Sequence, residues 1–154
     1  MSNVVPIHTK LAPSSVHSIN KVNELAGAIQ SELAPYEFVT EHMLHGGMYT
    51  RTLRLPPRIV GAAVLVKPPT VLITVGTLEV WSNDQVIRVT GYNVIPGSAG
   101  RKIAFVTHSE VAMSMVFPCQ ALTVEQAQRE FTDEHALLAP LSLPDRHLIL
   151  ITGE

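Results

Sequence analysis

Residues 59–97 read IVGAAVLVKPPTVLITVGTLEVWSNDQVIRVTGYNVIPG. Short runs of Val, Ile, Leu and Thr are cut by Pro68-Pro69, Gly76, Asn83-Asp84 and Pro96-Gly97. β-Branched residues suit a pleated strand, while Gly, Pro and Asn-Asp supply the backbone angles of tight turns. Runs of this length and spacing predict a small β-barrel or sandwich. Within it, Leu78–Trp81 and Gln85–Val89 predict a hairpin around Ser82-Asn83-Asp84. Residues 59–66 are apolar on both faces, which predicts a central strand buried on both sides or packed on another subunit. The stretch holds no cluster of metal ligands or acid/base groups, so it speaks to fold more than to function.

Outward from this stretch the same grammar continues. Tyr36–Thr40 predicts a first strand, with Glu41, His42 and His45 in the loop after it and Gly46-Gly47 at a turn. Met48–Leu55 alternates, placing Tyr49, Arg51, Leu53 and Leu55 on one face. Tyr92–Ile95, Lys102–Thr107 and Val111–Phe117 are further strands. On the N-terminal side, Ile19, Val22, Leu25, Ala26, Ile29 and Leu33 form an apolar stripe. It predicts a helix over 18–34, with Ser18 as N-cap and Pro35 as the stop. On the C-terminal side, Thr123 and Gln126 form a capping box that opens a helix over 123–139. Leu148–Thr152 is a terminal β-type run that has to pair with a distant strand or another subunit, or lie extended on the surface. Residues 1–17 read as an irregular arm whose Val4, Val5, Ile7 and Leu11 dock on the body or on a neighbouring subunit. The expected division is arm and helix over 1–35, barrel over 36–118, and helix and tail over 119–154, all in one globular domain.

Composition bounds the function classes. The 154 residues are 46% hydrophobic and 16% charged, with a net charge of -2. That balance excludes a disordered chain and supports a sizeable core. It carries no electrostatic footprint for nucleic acid. Arg51, Arg54 and Arg58 are the nearest thing to a basic cluster and read as ordinary surface or pocket residues. The single cysteine, Cys119, rules out an intrachain disulfide; at a strand end after Phe-Pro it reads as an inert, buried thiol. The first residues show no apolar leader, and no apolar run approaches the ~18 residues of a membrane span. The expectation is a cytoplasmic protein with no membrane partner.

His45-Gly46-Gly47-Met48-Tyr49-Thr50-Arg51, Leu55-Pro56, Val60-Gly61, Gly76-Thr77-Leu78-Glu79-Val80, Gly91, Pro96-Gly97 and the acidic helix Thr123–Glu134 stand in an order that resembles the cupin superfamily. Within it they look most like uncharacterised cupin-like proteins of tailed bacteriophages. The resemblance runs from about His42 to Glu134. It implies an all-β, cupin-like jelly-roll barrel (double-stranded β-helix) with an N-terminal helix and a C-terminal helix. Metal-binding cupins hold their ion through three His and a Glu, set in a Gly…His-x-His…Glu…Gly motif and a Gly…Pro-x-Gly…His…Asn motif. Here the glycines and the turn persist, but no His, Asp, Glu or Cys stands between Gly61 and Gly76. The place of the second-motif His falls near Gly100-Arg101-Lys102. The usual ligand set is therefore absent and no cofactor is expected. A divalent metal would have to come from His42, His45 and His108.

The candidates for a small-ligand pocket in the barrel are His45, Tyr49, Arg51, Trp81, Tyr92 and Arg101. Gly97-Ser98-Ala99-Gly100-Arg101-Lys102 looks like a phosphate loop but precedes a β-type run, so it reads as a turn. The functional expectation is a non-catalytic binding or assembly module, phage-related and homo-oligomeric. Its expected partners are phage structural proteins or a small ligand, in the host cytoplasm or the virion. The oligomer follows from the apolar surplus, the two-faced strand at 59–66, and an arm and tail without partners. The alternative is a cupin enzyme. It would work through loop histidines on a metal, or without metal as a sugar-isomerase-like catalyst with a His base and a Tyr acid drawn from His45, Glu79, Tyr49 and Tyr92.

Overall fold

Turn chemistry sets the strand pairing. Gly46 and Gly47 have φ of 59° and 72°, and Asn83 and Asp84 have 49° and 60°. Two left-handed residues in a row are what a tight hairpin turn matching the twist of its strands requires. The first turn joins β1 (Thr40–His45) to β2 (Met48–Leu55), and the second joins β5 (Leu78–Ser82) to β6 (Gln85–Val89). The computed structural model describes residues 10–154; Val4, Val5 and Ile7 of the predicted arm lie outside them.

The other strands are β3 (Val60–Ala62), β4 (Thr70–Val75), β7 (Tyr92–Gly97), β8 (Ala104–Thr107), β9 (Val111–Pro118) and β10 (His147–Ile151). They form a six-stranded sheet in the order β10-β1-β2-β9-β4-β7 and a four-stranded sheet in the order β3-β8-β5-β6. From β4 onward the chain passes repeatedly between sheets: β4 in the larger, β5 and β6 in the smaller, β7 back, β8 across, β9 back again. Inward residues of both sheets, among them Leu72, Leu78, Val80, Ile95, Phe105 and Met113, fill the space between. This is an all-β jelly-roll barrel of the double-stranded β-helix kind. Helix α1 (Val16–Glu32) precedes it and helix α2 (Val124–Phe131) follows it.

Several elements differ from the sequence expectation. Helix α1 is capped by Ser15, whose Oγ accepts the Ser18 N–H. Ser18 is instead buried, and its Oγ accepts from the Asn83 N–H. The first strand is Thr40–His45, not 36–40, so His42 and His45 are strand residues. The strand expected over 59–66 is only Val60–Ala62, and α1 of the same chain packs against it. Gly61 there lies under the Phe105 ring: a Cβ would sit 2.3 Å from Cζ. Helix α2 stops at Phe131, whose carbonyl accepts the Lys67 N–H; Glu134 beyond it pairs with Lys102. These tertiary bonds outweigh continued helix.

The tail is not unpaired. β10 runs parallel to β1, from Thr40↔His147 to Leu44↔Ile151. Nor is the described part of the arm: Leu11 exchanges backbone bonds with Pro96 and Ser98 and buries its side chain in the core. Of the premises of the oligomer expectation, the two-faced strand, the tail and, among the described residues of the arm, Leu11 thus find partners within one chain.

Candidate functional site

β2 turns Tyr49 and Arg51 inward, and the pairing of β1 with β2 puts His42 opposite Arg51. β10 adds His147 to the same interior. The four side chains meet at the α2 end of the barrel. Tyr49 Oη lies 2.7 Å from His42 Nδ1, His42 Nε2 lies 2.8 Å from His147 Nδ1, and His147 Nε2 lies 3.0 Å from the Pro140 carbonyl. A carbonyl only accepts, so His147 Nε2 carries a proton. With Nδ1 of His147 as the acceptor, His42 donates from Nε2 and accepts the Tyr49 hydroxyl at Nδ1. The whole relay is directed by one backbone oxygen.

Burial, the Arg51 charge and His147 together push His42 down to about 3, so it is neutral at ordinary pH. Burial raises the Tyr49 hydroxyl, and Arg51 opposes that rise. The Arg51 guanidinium lies 5.8 Å over the Phe131 ring, and its Nη1 is buried without a hydrogen-bond partner. Tyr49 and His42 are 0% and 2% exposed. A Tyr–His pair can move a proton, but this one is sealed from solvent and packed beside Leu44, Phe117 and Phe131.

The other expected pocket residues do not converge on Tyr49 and Arg51. His45 points outward, bonded to Thr152 Oγ1 at 2.8 Å. Tyr92 stands 63% exposed on the outer face of the larger sheet. Arg101 is buried inside its own turn, where it donates to the Ser98 carbonyl and to Thr70 Oγ1. Burial lowers it to about 10. It closes tightly over Gly97, where a Cβ would lie 2.5 Å from its Cζ. Arg101 is a staple of the loop, and its neighbour Lys102, also buried, is taken by Glu134 at 2.7 Å. His108 faces Glu79 at 3.5 Å. His42, His45 and His108 therefore do not assemble, and among the described residues no three His, Cys, Asp or Glu side chains are grouped to hold a metal. Cys119 is buried, bonded to Glu130, and burial pushes its thiol up to about 11, which makes it a poor nucleophile.

Trp81 lies elsewhere, in a groove that sequence reasoning missed. The outward positions of the smaller sheet (Val60, Trp81, Val86, Ala104 and Val106) face Lys21, Glu24, Leu25 and Ala28 of α1 across a cavity of about 620 Å³. Lys21, Glu24, Leu25 and Ala28 follow helical spacing, and Ala104 and Val106 alternate. That the two stripes face each other depends on how the helix docks, which no local pattern states.

No family model matches the chain, and no curated protein matches it. Solved structures similar to it include an uncharacterized conserved protein with a double-stranded β-helix domain from Klebsiella pneumoniae. It is 14% identical with a TM-score of 0.46, over 60% of this chain and 84% of that one. A cupin superfamily protein from Desulfitobacterium hafniense matches at 14% identity and a TM-score of 0.44, over 58% and 86%. A cupin-2 domain containing protein from Shewanella frigidimarina matches at 16% and 0.41, over 67% and 94%. At these values the likeness adds nothing to the strand order and register described above, and it carries no activity across.

Proposed function

We propose that this chain is a non-catalytic binding and assembly module whose small-ligand site is the groove between α1 and the smaller sheet. One observation carries the reading: the interior acid/base groups are sealed in a packed core, while an open apolar groove lies outside it. Its volume of about 620 Å³ falls in the ~300–1,000 Å³ range of small-molecule sites. The floor is Val60, Ala104 and Val106 with the Trp81 ring, and charge stands at the rim in Lys21, Glu24 and Glu79. That chemistry suits a flat apolar ligand with one polar end. The module is homo-oligomeric and needs no bound cofactor, nucleic acid or membrane. The phage setting, with phage structural proteins as partners and the host cytoplasm or virion as location, rests on the sequence resemblance.

Trp81 is the single tryptophan, so its emission reports on the groove. Anilinonaphthalene sulfonate is expected to quench it saturably, and Ala28→Phe, which fills the groove, to abolish the quenching. Quenching unchanged in that variant would remove the groove from the reading. Stoichiometric metal in purified protein, lost in His45→Ala, would replace the non-catalytic reading with a metal-dependent one. Recovery of the protein from purified virions supports assembly with phage components.

The 2.7 Å contact between Tyr49 and His42 favours a second reading, a metal-free acid/base catalyst of the sugar-isomerase kind. It requires the sealed interior to open to substrate. Turnover of a sugar substrate that disappears in Tyr49→Phe, with the fold retained, would establish it.

A further inference from the structure

The outer face of the six-stranded sheet lacks what an exposed sheet face normally has. Antiparallel sheets with one solvated side alternate apolar inward and polar outward. Here the outward positions of β4 and β7 include Val71, Val75, Tyr92 and Val94, between 43% and 63% exposed. The cross-strand register carries the apolar surface onward. Val71 lies beside Val116 and Pro96, and Met43 of β1 beside Leu150 of β10. Val71, Val75, Tyr92, Val94, Met43 and Leu150 together expose on the order of 500 Å², before half-buried neighbours such as Ile73 are counted. A standard interface takes ~800 Å² from each partner.

Four polar side chains on this face pair with one another. Thr52 Oγ1 and Ser114 Oγ bond each other at 2.7 Å, and Arg54 pairs with Glu41 at 3.1 Å. Covering paired groups costs less than covering unpaired ones. The paired charges also leave the face without net charge, so an identical face meets no like-charge repulsion, and a strongly charged partner finds nothing to complement.

We infer that the occupant of this face is a second copy of the chain. Two larger sheets pack face to face about a two-fold axis, with the Val71–Val94 region at the centre of the interface. The inference deepens the oligomer part of the reading above by giving it a surface, and it is independent of the groove.

The test is the mass in solution. The native protein is expected to elute at twice the 16.8 kDa chain mass, measured by light scattering up to about 100 µM, where even a micromolar dimer is populated. Val71→Glu with Val94→Glu is expected to halve that mass. Both sites are exposed, so the variant should keep the native circular dichroism and unfolding midpoint. Val86→Glu, an exposed change on the other sheet, should remain dimeric. A monomeric native protein would overturn both this inference and the oligomer reading. An oligomer that survives the double glutamate variant would overturn this surface alone.

Discussion

His42 is held neutral by its surroundings, and that ties stability to pH. Its folded value, about 3, lies below the ordinary 6.5, so the unfolded chain binds the proton more readily. The contribution is therefore complete above about pH 6.5 and is lost progressively as pH falls toward 3. The melting temperature is expected to fall across that window and the slope to flatten in His42→Gln; an unchanged slope would assign acid sensitivity to other groups. Arg51 is one cause of the depression, so Arg51→Met should raise the His42 titration midpoint, read from its imidazole NMR shifts. Tyr49→Phe keeps the ring but leaves a buried His42 nitrogen without its donor, at a cost of ~1–3 kcal/mol in urea unfolding. Little of this network was legible beforehand. Tyr49 and Arg51 share a face by simple alternation, but His42 reads as a loop residue. Thr40 and His42 are polar at inward positions, and the partner that makes them inward, His147, lies 105 residues away.

Elements were most legible where turn chemistry was local. The hairpins at Gly46-Gly47 and Asn83-Asp84 follow from residues that tolerate positive φ. Gly76 is stricter still: its φ is 110°, and a Cβ would fall 2.2 Å from the Glu110 carbonyl oxygen. That neighbour is backbone and cannot swing away. Gly76→Ala should cost more than about 2 kcal/mol in denaturant midpoint, from strain and clash together. The cap of α2 was equally readable. Thr123 Oγ1 accepts the Gln126 N–H at 3.2 Å, and Thr123→Ala should cost ~1 kcal/mol. The end of α2 was not readable, because it is set by what Phe131 and Glu134 bond across the molecule. The three-residue β3 was hidden for a similar reason: its apolar outward positions serve a helix, not a second sheet.

For the whole molecule, the barrel was legible and the placement of its chemistry was not. Strand number, turns and flanking helices follow from runs and breaks in the sequence. Which outward residue meets which depends on sheet crossings and on the docking of α1. Trp81 and Tyr92 therefore end on the outsides of different sheets, and neither reaches Arg51. The closing of the larger sheet also has a consequence in time. β1 leaves the ribosome about a hundred residues before the strand that covers it. At ordinary translation speeds that interval is roughly 5–20 s. Throughout it the flank of β1 stays open and the imidazole of His42 lacks its acceptor. The edge of β1 is thus the stretch a nascent chain has to keep from other chains longest, and a place where a chaperone has something to hold.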